Sequence, residues 1–403
     1  MGFDEVAMEE AGNRIDGRGC LQLGRQDRRK SGMGGNGAGK PACKCLGVSG
    51  LFDQVGAEHQ RCKLGFREVC TRLGQYEQWC SGQQGFCPAP VDMVGCVPAT
   101  WGQVCQGKNI SYNPTGSGAG REQFAAGNVD IGGSDSPIKE EQAQQAAQRC
   151  NGNEVWNLPL VFGPVAMAYN IEGVEGLVLN ADVIAQIFQG QITNWNDPAI
   201  AALNEGKTLP DQGITPIYRS DSSGTTDNFQ LYLEAAAPEA WTKGTGSEFQ
   251  GGAGEGAQKS SGVVQAVQAT PGSIGYVEKG FADQAGLPAA QIDNGSGAVE
   301  LNNESAGKAI DAATFAGEGN NLVLDLQALY GTTEEGAYPL VLATYSLVCS
   351  NGYPAETAEA VKSFLTVASH QGQAGLPEAG YVPLPERFTE RLQEAIDGIG
   401  STA

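Results

Sequence analysis

Long apolar runs are missing from this chain. No stretch approaches the ~18 consecutive apolar residues that span a bilayer, so no segment is expected to cross a membrane by itself. Basic residues are scarce: 25 Lys+Arg face 46 Asp+Glu, a formal charge of -21. The average surface therefore repels nucleic acid, and counterion release offers little drive for binding a phosphate backbone. Histidine is scarcer still, with only His59 and His370, and no GxSxG elbow is present, so a Ser/His/Asp hydrolase lacks its parts. The eleven cysteines include no CxxC pair, the local chelate that zinc modules need. What is present, 40% hydrophobic and 18% charged residues over 403 positions, suffices for two ordinary domains with a buried core.

The averages conceal a break near residue 105. Up to Cys105 there are 12 basic and 11 acidic residues, nine cysteines and four methionines; from Gln106 onward there are 13 basic and 35 acidic residues, two cysteines and one methionine. The first part sustains neither a 3.6- nor a 2.0-residue periodicity. Its Gly34–Lys40 run imitates a phosphate-cradling P-loop, but Pro41 stands where a Ser or Thr must ligate magnesium, and no apolar strand precedes it. A third reading is translation in the wrong frame. Dropping the first base from the codons of Asp92–Ala99 forces a Trp from the Met93–Val94 junction and permits Ser-Ala-Ala-Tyr-Gln after it, an amphipathic helix just ahead of Cys105–Asn109. Residues 1–105 are accordingly expected to be an anomalous, Cys-rich segment, frame-shifted and poorly ordered.

From Ile110 the pattern is regular. Asn109–Tyr112 reads as a short strand, Gly116–Gly120 as a turn and Arg121–Ala126 as a helix stopped by Gly127. Val129–Gly133 reads as a strand, followed by a helix to about Cys150 with Ser136 as cap and Pro137 in first position. Leu158–Ala168 suits a buried strand, Ala181–Phe188 a helix, and Asn196-Asp197-Pro198 another helix start. Ile214–Tyr218 is a strand, Asp227–Ala237 and Gly262–Ala269 are helices, and Ser273–Val277 and Leu340–Cys349 are strands before two closing helices. Strands alternating with helices predict parallel α/β layers.

Three loops between a strand and a helix carry candidate chemistry, because such positions present unpaired amides and the positive end of the helix dipole. Around Ser117, small residues let backbone approach and the hydroxyl donates. Ser223, Gly224 and Thr225 add hydroxyls and successive amides, and Arg219 at the preceding strand end can make a bidentate, charge-assisted pair. Each loop alone is no more than a turn or a helix cap. Together they describe a pocket of donors, and Asp135 is the exception. A carboxylate facing an anion makes sense only if the ligand brings a proton, as hydrogen phosphate does and sulfate does not. Asp221 is expected to orient Arg219. No metal, cofactor or catalytic residue is needed.

These residues carry a family resemblance. The runs NPTGSGAG, DIGGSDSPI, GQITNWNDPAI, RSDSSGTTDNF and PGSIGYVE resemble the phosphate-binding protein of bacterial phosphate ABC transporters, in particular the actinobacterial lipoprotein form, from about residue 106 onward. The resemblance implies an α/β, two-lobed type II periplasmic-binding-protein fold with two hinge crossings, near Phe162–Ala166 and Tyr338–Val341. Lobe I would comprise 106–163 and 341–403, and lobe II 164–340. It implies Ser117, Asp135, Arg219, Ser223, Gly224 and Thr225 as phosphate ligands, Asp221 as their support, and the Trp195 segment as lobe structure. It also implies inorganic phosphate and a membrane permease as partners, a monomer, no nucleic acid, and an extracytoplasmic location, periplasm or cell surface.

Two features of that family, a signal peptide with a lipid-anchoring cysteine and a first strand with a hydroxyl-bearing loop, are not legible in residues 1–105. In an exported protein, the two cysteines of the readable part, Cys150 and Cys349, favour a disulfide. The alternatives are a binder of another tetrahedral oxyanion (sulfate or molybdate), against which Asp135 argues, and a hydrolase. Ser136-Pro137-Ile138-Lys139 matches the SxxK pattern of penicillin-recognising acyl enzymes, without its SDN and KTG companions. A phosphatase would need a metal cluster or nucleophile that the sequence does not offer.

Overall fold

The computed structural model describes residues 110–400. The frame-shift reading, the Cys-rich segment and the P-loop-like run fall outside the described residues. All of the described residues lie in one unit, Gln60–Ala403. Among the described residues nine strands run β1 Gly132–Ser134, β2 Val155–Tyr169, β3 Val178–Asn180, β4 Thr215–Arg219, β5 Glu255–Ala257, β6 Ser273–Glu278, β7 Gln291–Asp293, β8 Ala298–Val299 and β9 Val341–Cys349. The described α-helices are α1 Ser117–Ala125, α2 Glu140–Arg149, α3 Ala181–Phe188, α4 Pro198–Leu203, α5 Gly224–Ala236, α6 Lys259–Ala269, α7 Lys279–Gln284, α8 Asn303–Ala312, α9 Leu326–Tyr330, α10 Ala355–Ser369 and α11 Glu386–Gly398.

A six-stranded sheet in the order β1-β9-β2-β6-β4-β5 organises the chain, beside a small sheet β3-β7-β8. Its spine is β2, 15 residues long and buried at all but one position. Continuous burial suits a strand covered on both faces, and the largely apolar sequence VWNLPLVFGPVAMAY supplies it. From Val155 to Pro164 this strand pairs antiparallel with β9; from Val165 to Tyr169 it pairs antiparallel with β6. The exchange of partners falls at Pro164, which has no N–H to give a ladder, and the β9 register already shifts after Pro159.

The expected parallel layers hold only in part. β4 is parallel to β5 and β6, and β3 to β7, whereas β1, β2 and β9 pair antiparallel. Alternation of strand and helix predicts the crossover type but does not reveal two strands that traverse the middle of one sheet in opposite directions. Other expectations are also corrected. Ile110–Tyr112 is not a strand, since it has no ladder partner among the described residues. Gly116–Gly120 is not a free turn: Gly116 at φ 91° makes the bend and helix α1 starts at Ser117. Ser136 and Pro137 do not open a helix. Helix α2 begins at Glu140, because the Ser136 hydroxyl is drawn instead to Asp227 Oδ2 at 2.6 Å. Helices α3, α4 and α5 do begin at side-chain caps, Asn180, Asp197 and Ser223. The Asn180 side chain accepts from Val183 N and Asp197 from Ala199 N, both at 2.9 Å, and only the second was read from sequence.

Packing fixes the ends of the site-bearing elements. Phe229 of α5 stacks on Tyr276 of β6 at 4.3 Å, with Phe188 edge-on to Phe229 at 4.8 Å. The Tyr276 hydroxyl accepts from Arg219 N at 3.1 Å, which pins the end of β4. Trp195 is fully buried and its indole N–H donates to Gly272 O at 2.9 Å, a structural role. Cys150 and Cys349, both fully buried, form a disulfide that ties the end of α2 to the end of β9 across 199 positions of sequence.

Candidate functional site

Three chain segments far apart in sequence meet at the start of α5. A Cβ placed on Gly224 would lie 2.4 Å from Ser117 Oγ and 2.6 Å from Asp135 Cβ, and one on Gly116 would lie 4.0 Å from Arg219 Nη2. The first turn of α1, the loop after β1, the end of β4 and the start of α5 thus face one another. Glycine at 224 is a condition of that closeness. They line a common cleft of about 1110 Å³ that includes Ser117, Asp135, Arg219, Ser223 and Gly224. This volume far exceeds a small oxyanion, so the polar end of the cleft is the seat to consider.

Arg219 is the main cation there. Its Nε and Nη2 donate to Asp221 Oδ1 and Oδ2 at 2.8 and 2.6 Å, and Nη1 donates to Ser260 Oγ at 3.1 Å. Of the five guanidinium hydrogens, one on Nη1 and one on Nη2 remain for a ligand. Burial works against both charges of the pair, but the paired hydrogen bonds outweigh it: Arg219 is held above its ordinary value and Asp221 below. Lys259 N also donates to Asp221 Oδ1 at 2.9 Å. The carboxylate therefore holds the fork, and Asp221 itself does not line the cleft.

Helix α5 adds amides. Its cap, Ser223, accepts from Thr226 N at 3.3 Å, leaving the Gly224 and Thr225 N–H groups without an intrahelical acceptor. Helix α1 has no side-chain cap and presents the amides of its first turn in the same way. The hydroxyls depart from the sequence reading. Ser117 Oγ donates to Asp135 Oδ2 at 3.1 Å and accepts from Asp135 N at 3.0 Å. Thr225 Oγ1 donates to Glu278 Oε1 at 2.7 Å, and Thr225 does not line the cleft. Both protons thus go to neighbouring carboxylates, 18 and 53 positions away in sequence. The hydroxyl protons of Ser223 and Ser260 remain uncommitted.

Asp135 is part-buried at the inner wall. Thr344 Oγ1 donates to its Oδ1 at 2.6 Å and Ser117 to its Oδ2. Burial first, then the Glu278 charge, push its carboxyl up to about 6, against the two hydrogen bonds and the Arg219 charge. Each oxygen keeps a lone pair, so the group can accept one more proton-bearing ligand atom.

Sequence reasoning missed Thr344, Ser260, Glu278 and Arg121. Thr344 and Ser346 are the polar pair at alternate positions of the otherwise apolar β9, a period-2 signal that would have found them. Arg121, buried in α1, donates to Ser134 Oγ at 3.0 Å and Ser247 Oγ at 2.8 Å. Among the described residues no group of three His, Cys, Asp or Glu side chains could hold a metal ion.

Known proteins share this arrangement of sequence and fold. Residues 99–369 match the model of the PBP superfamily domain. The chain is 46% identical over 299 residues to "Phosphate-binding protein PstS 3" of Mycobacterium tuberculosis, covering 74% of this chain and 80% of that protein. It is 34% identical over 308 residues to "Phosphate-binding protein PstS" of Pasteurella multocida, covering 74% and 85%. In fold it is similar to a high-affinity periplasmic phosphate-binding protein solved with phosphate (TM-score 0.59, 22% identity, 72% of this chain and 88% of that one). A phosphate-binding protein from Stenotrophomonas maltophilia gives a TM-score of 0.55 at 20% identity, covering 71% and 87%. With its matched region spanning both sides of the cleft and its identity well above what fold alone requires, the chain belongs to the PBP superfamily and, within it, to the family of phosphate-binding proteins.

Proposed function

We propose that this protein captures inorganic phosphate between two lobes and delivers it to the membrane permease of an ABC transporter. One observation carries the reading: a proton acceptor, Asp135, shares a cleft with the unpaired N–H groups of Arg219 and the open N-terminus of α5. A tetrahedral anion meets donors on several sides, and its P–OH meets the carboxylate. Sulfate brings no proton, and a buried acceptor facing a bare oxygen costs several kcal/mol. The names of the mycobacterial and Pasteurella relatives support the same ligand.

The lobes are taken as 106–163 with 341–403, and 164–340. The exchange of β2 partners at Pro164/Val165 and the start of β9 at Val341 support hinges at those places. Open lobes admit phosphate, and closure about two crossings presents the loaded form to the permease. Ser117, Asp135, Arg219, Ser223, Gly224 and Thr225 are assigned as ligands, Ser117 and Thr225 through their amides, with Asp221 in support. The location is extracytoplasmic; among the described residues no helix is long and apolar enough to cross a membrane.

The role is binding rather than catalysis. In the SxxK match, the Ser136 hydroxyl and the Lys139 ammonium both donate to Asp227 Oδ2, at 2.6 and 2.5 Å, so neither activates the other. Calorimetric titration of the full chain tests the assignment. Phosphate is expected to bind and sulfate to leave that titration unchanged; equal competition by sulfate would overturn it.

A further inference from the structure

Glu278 ends β6 inside the cleft, where β2 exchanges one partner for the other: its ladder partner is Val165. It is a buried carboxylate with 8% of its surface exposed. Oε1 takes the Thr225 proton. Oε2 is shielded from solvent and accepts no hydrogen bond. A buried carboxylate oxygen left in that state costs free energy unless a donor reaches it.

The charged groups around it do not supply one. Arg219 on β4 donates to Asp221 and Ser260, and neither of its two remaining N–H groups is bonded to Glu278 Oε2. Lys259 on α6 donates its ammonium to Pro114 O at 3.0 Å. Asp135, from the loop after β1, is a second acid whose titration the Glu278 charge influences. Lys279, the next residue, pairs with Asp283. Tyr276, on the same strand, is hydrogen-bonded to Arg219 N and Thr226.

Resting on the phosphate assignment above, we propose that Glu278 is a specificity-determining residue that makes the cleft select monobasic over dibasic phosphate. At the polar end of the cleft two carboxylates, Asp135 and Glu278, stand near a guanidinium already paired with Asp221. Dibasic phosphate carries one hydroxyl, enough for Asp135 alone. Monobasic phosphate carries two, one for each acid, and brings one negative charge fewer. Glu278 acts twice in this scheme, drawing the Thr225 hydroxyl out of the ligand's reach and offering its own oxygen to the second P–OH.

Phosphate affinity of the full chain, measured by calorimetry between about pH 6.5 and 8.5, tests this. With its carboxyl pushed up to about 6, Asp135 is ionised toward the alkaline end of this range, and there the change reports on the ligand. The wild type is expected to weaken about tenfold per pH unit once above the second ionisation of phosphate, as the monobasic form is depleted. Repeating the alkaline titration in buffers of different ionisation enthalpy should show uptake of one proton per phosphate bound. Glu278→Gln, which offers an amide donor to a bare oxygen, should flatten the slope and bind more tightly than wild type at the alkaline end. A flat wild-type profile without proton uptake overturns the proposal while leaving the phosphate assignment intact, and so does a folded Glu278→Gln variant that keeps the wild-type slope. Failure of the wild type to bind at any pH overturns both.

Discussion

Arg219→Ala removes the cleft's main cation, and its cost can be worked from the bonds described. Two guanidinium hydrogens, one each on Nη1 and Nη2, are free to face a ligand once Asp221 and Ser260 have taken theirs. Hydrogen bonds to a charged partner contribute about 1.5–3 kcal/mol each. Losing both predicts roughly 3–6 kcal/mol, or about two to four orders of magnitude in Kd. The Asp221 carboxylate, deprived of its partner and held only by Lys259 N, adds repulsion in the same direction. Calorimetric titration with phosphate reads the loss directly. Asp221→Asn provides a graded comparison, since it keeps the guanidinium but loosens it, and about a tenfold loss is expected. Binding by a folded Arg219→Ala protein within about threefold of wild type would show that the anion does not sit against this guanidinium, and the site would have to be moved.

Three other perturbations follow from the geometry. Gly224→Ala would put a methyl group 2.4 Å from Ser117 Oγ and 2.6 Å from Asp135 Cβ. Overpacking of that kind costs about 1–3 kcal/mol and should weaken phosphate roughly in proportion, with small-angle scattering showing a cleft that no longer closes; unchanged affinity would mean that the two sides need not approach. Asp135 has a folded pKa of about 6, above its ordinary 3.8, so its stabilising contribution is present below the ordinary value and lost as pH rises through 6. Asp135→Asn should therefore melt higher than wild type at alkaline pH, by at most about 3 kcal/mol, with the gain vanishing near ~pH 4. The same group is an acceptor only when ionised, so wild-type phosphate affinity should fall below about pH 6, and an affinity constant to ~pH 5 would count against its role. Reduction of the Cys150–Cys349 bond, which closes a loop of 199 positions, should cost about 2–5 kcal/mol in urea unfolding; an unchanged midpoint would show that packing alone holds α2 to β9.

The elements whose signals are local were legible. Helix α3 occupies its expected range, and Asp197-Pro198 caps and starts α4 as read. Helix α5 was placed three residues late, because Gly224-Thr225-Thr226 reads as loop by composition, whereas packing of Phe229 on Tyr276 and the Ser223 cap draw them into the first turn. Ser136 shows the opposite error. Its position before a proline is that of a cap, but a carboxylate 91 positions later outbids the local backbone for its hydroxyl.

The site divides in the same way. Arg219 and Asp221 lie two residues apart, so their pairing could be read from sequence, and the structure shows it. Asp135 and Arg219 share the cleft, but nothing local to Asp135 announces Thr344, 209 positions away, as its donor. Nor does the PGSIGYVE run announce that its last residue, in the cleft lining, leaves one carboxylate oxygen without a partner.

By itself the sequence determined which residue types stand at strand-to-helix junctions, and through them the family, because caps, turns and dipole-facing amides are written in contiguous residues. Only the tertiary structure decided which hydroxyls keep a free proton at the cleft and which give theirs to a neighbouring carboxylate. A hydroxyl has one proton to give, and its direction is set by whichever acceptor the folded chain brings within 3 Å.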